Sequence, residues 1–509
     1  MKVIVSCNTI KLKLTLTEKQ LERSLLAAVV EPFLGAYNKR APTPLASDQL
    51  KGVTIDGVDV DASLSAAEQL GSSSEDMPTV VLHAPPVEGP AALVEALASL
   101  PASASAEDAA AALLAVRRAS READAKEVVV SPRAVASAAE HACLAAGSKR
   151  ELDSWGYAAA EALALLNNQL VLDSASVSGA LCSPPIDALP KLVAALERGH
   201  ALPPRVLQFA GPVAFHVSCN GAAVGAHAAT LLRACSIAVC VASEMLGAPA
   251  LPADDEAPCA KLAAGSARAL FNLLRLAPPW GDVEGDGDGV GDGDGDGEDG
   301  GDGGVAKALT SQLVGAVVRL LESPGKSSEL HDARLASLQL CIALPKDTVH
   351  SQLVEKAAWR PMAATLRPAF EAVEDEGVCC NEPLVPCHVL QGVCEADDGA
   401  RKALKLLLFD DVIDDEPDAD DPYRPVGEAK GYDPTRPIAP GAPVRCYLVK
   451  ALTSSNYNLK TTVGNFLYAL CDEGDGKAAE EFVRLCGLGS AAGLLQERNL
   501  FAAFQHLAT

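Results

Sequence analysis

Aromatic side chains are scarce: three Trp, seven Tyr and ten Phe, 4% of 509 residues. The chain is nonetheless 49% hydrophobic, so its apolar surface comes mainly from Ala, Leu and Val. That composition suits many small helix–helix contacts better than a few large aromatic cores. Basic residues are in deficit, with 42 Lys and Arg against 67 Asp and Glu. This excludes the basic footprint that nucleic-acid binding requires. No segment reaches 18 uncharged apolar residues, and the start MKVIVSCNTIKLKL has no apolar signal core. Neither a transmembrane segment nor a secretory leader is therefore expected. No G-x-S-x-G and no C-x-x-C occurs, so no covalent enzyme chemistry, metal or cofactor is expected. The fifteen cysteines are scattered, several of them inside apolar runs (Cys235, Cys240, Cys341, Cys471). They read as reduced thiols of a cytoplasmic protein.

The net charge of −25 is concentrated in two places. The Gly/Asp run 281–304 holds 10 acidic and no basic side chains, and Asp410–Asp421 holds 8 more. Both lack the apolar content to fold, so the first reads as a disordered insertion and the second as part of an acidic, Pro-rich loop over 409–441.

Residues 1–86 differ from the rest. VIVSC and KLKLTL are strand-like, a helix is expected from Glu18 to about Tyr37, and VTIDGVDVD turns at Asp56-Gly57. A short helical SLSAAEQLG and a last strand, TVVLHA, follow. The order resembles a ubiquitin-like β-grasp domain. The segment continues past Ala84-Pro85-Pro86 without a free di-glycine tail, so a docking or stabilising module is expected rather than a conjugated modifier. From Gly89 onward the chain reads as helix after helix. Ser148-x-x-Glu151 forms a capping box. The helix after it carries Trp155, Ala159, Leu163, Leu166 and Leu170 on one stripe, and Leu459, Val463, Phe466, Leu467 and Leu470 form another. Breakers such as Ser183-Pro184-Pro185, Leu202-Pro203-Pro204, Ala277-Pro278-Pro279 and Ser323-Pro324-Gly325 separate them. A helix with one apolar stripe cannot bury it alone. The expected fold is mainly α, an armadillo/HEAT-type α-solenoid over 87–408 and 442–509 preceded by the small β-grasp domain.

Four stretches imitate chemical motifs. Gly487-Leu488-Gly489-Ser490-Ala491-Ala492 fits a dinucleotide turn, but KAAEEFVRLC before it is helical rather than a strand. Gly487 reads instead as the residue past a helix end, with Ser490 capping the next helix, AAGLLQERNLFAAF. Gly325-Lys326-Ser327 lacks the first glycine of a phosphate loop, Leu320 standing in its place. Asp292, Asp294, Asp296 and Gly297 imitate a calcium loop whose twelfth position is Gly303 instead of Glu. Cys379, Cys380, Cys387, His388 and Cys394 cluster without zinc spacing and read as buried thiols.

The stretch VGNFLYALCDEGDGKAAEEFVRLCGLGSAAGLLQERNLF, Val463 to Phe501, resembles the synembryn (resistance to inhibitors of cholinesterase) family, with Ser490 where Asn is usual and a short GDGKAA insertion. ALLNNQLVLDS, VLQFAGPVAF, ALFNLLRLAP, LHDARLASLQLCIALP and ARKALKLLL follow the family's order upstream. The resemblance implies a solenoid that binds heterotrimeric G-protein α subunits as a folding chaperone and non-receptor guanine nucleotide exchange factor. It also implies capture of the α subunit's C-terminal helix in a concave groove. A monomer in the cytoplasm, extending to the cell cortex, is expected. Candidate groove residues are Arg117 and Arg121, one turn apart as in the family's R-x-x-x-R helix, and Asn168 and Gln169, for which helix C-capping is an equal explanation. Asn272, Arg401 and Lys402 complete the set, with Asp398 where the family has another Arg. Relatives continue into an acidic tail, so reduced exchange and dominant chaperoning are expected here. The alternative is an armadillo-repeat scaffold with a ubiquitin-like docking module and no exchange activity. Under the first reading, Arg117→Ala with Arg121→Ala is expected to weaken partner binding at a nearly unchanged melting temperature.

Overall fold

In a computed structural model the described residues are 1–7, 10–38, 45–71, 77–83, 89–100, 104–121, 125–147, 149–249, 251–276, 302–376, 382–413, 442–472, 477–502 and 504. The Gly/Asp run up to 301, the loop 414–441, Ser148, the calcium-like loop, Cys379 and Cys380 lie outside them. The chain forms two compact units, residues 1–195 with 222–224, and 196–221 with 225–509.

The first unit opens with a five-stranded sheet. Strands β1 (Lys2–Cys7) and β2 (Ile10–Thr15) form an antiparallel hairpin, and β3 (Gly52–Ile55) pairs antiparallel with β4 (Val58–Asp59). Strand β5 (Thr79–His83) lies parallel to β1, with Ile4 opposite Thr79, and antiparallel to β3, giving the order β2-β1-β5-β3-β4. This mixed sheet is compatible with the ubiquitin-like reading. The Asp56-Gly57 turn has positive φ at both residues, 49° and 84°, which matches the twist of a two-residue hairpin. Val3, Val5, Val80 and Leu82 bury one face against Leu25, Val29, Phe33 and Tyr37.

The single helix expected over 18–37 is broken. Helix α1 (Glu18–Leu21) stops, and the backbone at Arg23–Leu26 bonds instead to the 62–66 segment, as in Leu25 N–H to Leu64 O at 2.8 Å and Leu26 N–H to Ala62 O at 2.8 Å. A wide π-turn over Leu26–Val30 then leads into α2 (Glu31–Tyr37). Pro32 explains the widening: it has no N–H to give to Ala28, and its ring would collide with that carbonyl in a regular α-turn. Helix α3 (Ala66–Leu70) starts at Ser65, whose hydroxyl accepts from the Glu68 N–H.

The rest is helical. The first unit adds α4 (Pro90–Ala98), α5 (Ala106–Ala119), α6 (Lys126–Val129), α7 (Pro132–Ala142), α8 (Lys149–Leu172), α9 (Ser174–Leu181) and α10 (Leu189–Glu197), the last reaching the unit boundary. After α11 (Pro204–Ser218) and the short α12 (Gly221–Val224) come α13 (Ala228–Gly247), α14 (Ala253–Leu276), α15 (Asp302–Glu322), α16 (Ser328–Ala343), α17 (Lys346–Glu355) and α18 (Trp359–Glu376). The chain ends in α19 (Leu384–Ala396), α20 (Asp398–Ile413, kinked at Phe409), α21 (Val444–Ala451), α22 (Tyr457–Cys471), α23 (Ala478–Cys486) and α24 (Leu488–Glu497).

Within the second unit these helices stack in two rows. One runs α11–α14–α16–α19–α22–α24, and α13–α15–α17 forms part of the other. Each stripe read from the sequence faces a neighbour: Leu459, Val463, Phe466, Leu467 and Leu470 are all buried, as are Ala159, Leu163, Leu166 and Leu170 in α8. This is the helical solenoid expected, with stability supplied by neighbour-to-neighbour burial. Residues 221–247 are long and apolar enough to cross a membrane by length and composition, yet half of their most apolar 18-residue window is buried, and α13 packs against α14 and α15.

The glycine stretch joins α23 to α24. Gly487 has φ 78° and ψ 146°, donates to Val483 O at 2.8 Å and accepts from Ala491 N–H at 3.0 Å, so it closes one helix and opens the next. Ser490 is therefore inside the first turn of α24 and is not its cap, as the sequence had suggested. A glycine at this φ reverses the chain within one residue, leaving no separate capping position. The helix also ends earlier than expected, at Glu497, with Asn499 left-handed at φ 58°.

Candidate functional site

Helix α5 starts at a capping box in which the Ser105 hydroxyl accepts from Asp108 N–H at 3.1 Å and Asp108 Oδ2 accepts from Ser105 N–H at 3.2 Å. Its apolar side, with Ala109, Leu113, Val116 and Ala119 buried, packs on α8. That burial fixes how the arginines at its C-terminal end project. Arg117 pairs with Glu161 of α8 at 2.8 Å, where both side chains are largely buried. Arg121 is exposed. The two do not form an equivalent ladder: one is an interhelix ion pair and the other faces solvent. Between them Arg118, which i,i+4 spacing passes over, is half-buried, and its Nη1 has no partner. Burial, then repulsion by Arg117, lowers its pKa. The i,i+3 spacing of Arg118 and Arg121 is the signal that would have found it.

Asn168 and Gln169 do not cap α8, which continues to Leu172. Asn168 donates to the Ser120 hydroxyl at 3.0 Å, and that hydroxyl donates to Arg117 O at 2.6 Å, so Asn168 holds the end of α5. Gln169 is fully buried, and its amide donates to Val129 O at 2.8 Å, the last carbonyl of α6. The same relay recurs in the second unit. Asn272 of α14 donates to Ser218 Oγ at 3.1 Å, and Ser218 donates to Phe215 O at 2.7 Å. Two of the sequence candidates are thus equivalent members of a repeat, a regularity that tertiary pairing reveals.

Arg401 is buried at 7% exposure and pairs with Asp398 at 2.7 Å, while Lys402 is exposed. Asp398 therefore does more than remove a positive charge from this patch: it engages the neighbouring guanidinium. Beside them is a cavity of about 370 Å³ lined by Glu395, Asp398, Arg401, Asn465, Tyr468 and Arg498, among others. The Arg498 guanidinium lies 4.1 Å from the Tyr468 ring centroid and donates to Asn465 Oδ1 at 3.0 Å. Nothing in the local sequence marks Arg498, because folding brings the end of α24 back onto α22. Nearby, Lys405 and Arg484 both contact Glu481, at 2.9 Å and 2.7 Å. Burial would raise the Glu481 pKa, but these two cations outweigh it and hold the carboxyl at about 2.

The motif look-alikes acquire internal explanations. At the 323–327 turn, Glu256 accepts from Ser327 N–H at 3.3 Å, and Arg334 donates to Gly325 O at 3.2 Å. A carboxylate of the chain itself thus stands where a phosphate would. Cys387 is buried, with its thiol pushed up, and Cys394 is pushed to about 12, both chiefly by burial. His388 is exposed. Among the described residues no cluster of His, Cys, Asp and Glu could hold a metal ion.

Residues 430–507 match the family model of the guanine nucleotide exchange factor synembryn. The described part of that stretch contains α21 to α24 and Gly487, and it includes Tyr468 and Arg498. No curated protein matches the chain. Among solved structures, an engineered protein is similar at 15% identity over 80% of this chain and 89% of that one, with a TM-score of 0.28.

Proposed function

We propose that this protein binds heterotrimeric G-protein α subunits, acting as a folding chaperone and non-receptor guanine nucleotide exchange factor that captures the α subunit's C-terminal helix. The observation that carries this reading is the synembryn match over residues 430–507. Stacked helix pairs supply the surface that a helix-in-groove mode needs, and Arg121 and Lys402 are exposed cations available to a partner's acidic groups. No bond is made or broken: a partner whose terminal helix is held elsewhere favours its open, nucleotide-free state, which is differential binding to two conformations. We place this activity in the cytoplasm and assign it to a monomer.

The test is GDP release from purified α subunit with and without this protein, beside a co-translational folding assay. Faster release or rescued folding supports the proposal; neither effect, together with no complex, removes it. The five-stranded sheet with its own core favours a second reading, a scaffold that docks partners through residues 1–86. That reading requires partner capture that depends on residues 1–86 and no α-subunit binding.

A further inference from the structure

Helix α17 buries Val349 and Leu353 and packs on α15 and α19, with a smaller contact to α16. Position 392 of α19 is a glycine, and the half-buried His350 ring occupies the space above it: a Cβ there would strike ring atoms Cε1 and Nε2. The imidazole is thus a knob set into a hole that only glycine leaves open. Beside it is a cavity of about 110 Å³ lined by Cys341, Lys346, His350, His388, Gln391 and Glu395, among others.

We propose that the α17–α19 contact is a pH-sensitive seam, closed while the His350 ring is neutral and seated on Gly392, and loosened when the ring takes up a proton. The surroundings offer a charged ring little. On α17 itself Lys346 opposes a proton at His350 and Asp347 favours one, and on α19 His388 opposes and Glu395 favours it. Glu395 is already engaged, its Oε1 accepting from Gln391 Nε2 at 2.7 Å. From α16, Cys341 presents an uncharged thiol, pushed up to about 12 by burial. Among the described residues α15 adds no charge that acts on the ring, and no hydrogen bond supports its charged form. Burial, the largest cause, lowers the His350 pKa, because a desolvated imidazolium forfeits its hydration. A ring held below its unfolded value of about 6.5 supports the contact in full above about pH 6.5. That support is lost as pH falls from there towards the folded value. The seam involves none of the candidate partner-binding residues, and its failure would leave the GDP-release result untouched.

The experiment follows the histidine Cε1–H resonances of the full-length protein by NMR from about pH 8 to about pH 5, with His350 identified by the signal lost in His350→Gln. A midpoint below about 6.5 is expected, moving up in His388→Gln and down in Glu395→Gln. Any approach of Glu374, Asp375 or Glu376, whose side chains are not among those described, would raise the midpoint and is read by the same titration. Amide exchange in 346–355 and 384–396, corrected for its intrinsic pH dependence, should speed several-fold between about pH 7.5 and about pH 5.5, with about tenfold the ceiling for one proton. His350→Gln should abolish that acceleration. Should His350→Gln fail to fold, His388→Gln carries both readings: one histidine signal vanishes, a second moves up, and the acceleration shrinks. A His350 midpoint at or above about 6.5, a midpoint indifferent to His388→Gln, or an acceleration that survives these substitutions overturns the proposal.

Discussion

Replacing Gly265 with Ala tests how closely the solenoid rows are packed. A Cβ on Gly265 would lie 2.2 Å from the Gly211 carbonyl carbon and 2.5 Å from Pro212 N. The reciprocal Cβ on Gly211 would lie 2.7 Å from Leu262 O. All of these are backbone atoms, so no rotamer change relieves the clash. Carbon–carbon contacts are optimal at about 3.5–4.0 Å, so α11 and α14 must separate by roughly 1 Å. Overpacking of this kind costs about 1–3 kcal/mol, and the helix-propensity gain of Gly to Ala returns at most about 1 kcal/mol. Two turns further along the same faces, Asn272 donates to Ser218 at 3.1 Å. A 1 Å separation stretches that bond past its useful range and removes about 1 kcal/mol more. The net loss is about 2 kcal/mol, or roughly 30-fold faster amide exchange in 204–218 and 253–276 where exchange follows local opening. Hydrogen exchange read peptide by peptide is the suitable assay, because a chain of two units has no single unfolding free energy. Gly179→Ala is the control: nothing stands within 4 Å of its Cβ, so that change should be neutral or stabilising. If Gly265→Ala exchanges as slowly as the parent protein, the close crossing is refuted.

Other expected outcomes follow from single contacts. The Glu481 carboxyl, held at about 2, lies below its unfolded value near ~4.3, so its contribution is full above pH ~4.3 and is lost as pH falls through ~2. That difference is worth about 3 kcal/mol at neutral pH, and acid-unfolding curves of Glu481→Gln should show less dependence on pH below ~4.5 than the parent; identical curves would contradict the assignment. Arg117→Ala, unlike the exposed Arg121→Ala, should destabilise by roughly 1–3 kcal/mol because it leaves Glu161 without its guanidinium. The expectation of an unchanged melting temperature therefore passes to Arg121→Ala alone, which calorimetry can check. Gln169→Ala should cost about 1–3 kcal/mol by orphaning Val129 O, seen as faster exchange around 126–131. Unaltered protection there would remove the internal role. Arg498→Ala should cost its local surroundings no more than about 1 kcal/mol, while a fluorescence change at Tyr468 reports the lost stacking; no change would argue against that contact.

Helix existence was legible because its cause is local. The i, i+4, i+7 stripe from Leu459 to Leu470 must be covered whatever covers it, and the Asp56-Gly57 turn between β-prone flanks admits little else. Gly487 was legible as a break for the same reason, since one backbone position decides it. The break at Arg23–Leu26 was not legible, because the competing bonds come from residues 62–66, some forty positions away; the π-turn has a local cause in Pro32, which helical periodicity by itself does not weigh. Among the candidate contacts, the sequence determined that Arg117, Arg121, Asn168, Asn272 and Arg401 are polar groups on amphipathic helices. Only the tertiary structure decided that Arg117 meets Glu161, that Asn168 and Asn272 each hold the serine at a neighbouring helix end, and that Arg401 is buried. The physical reason is that periodicity fixes which face a side chain occupies, whereas its partner depends on which helix is stacked opposite and at what height.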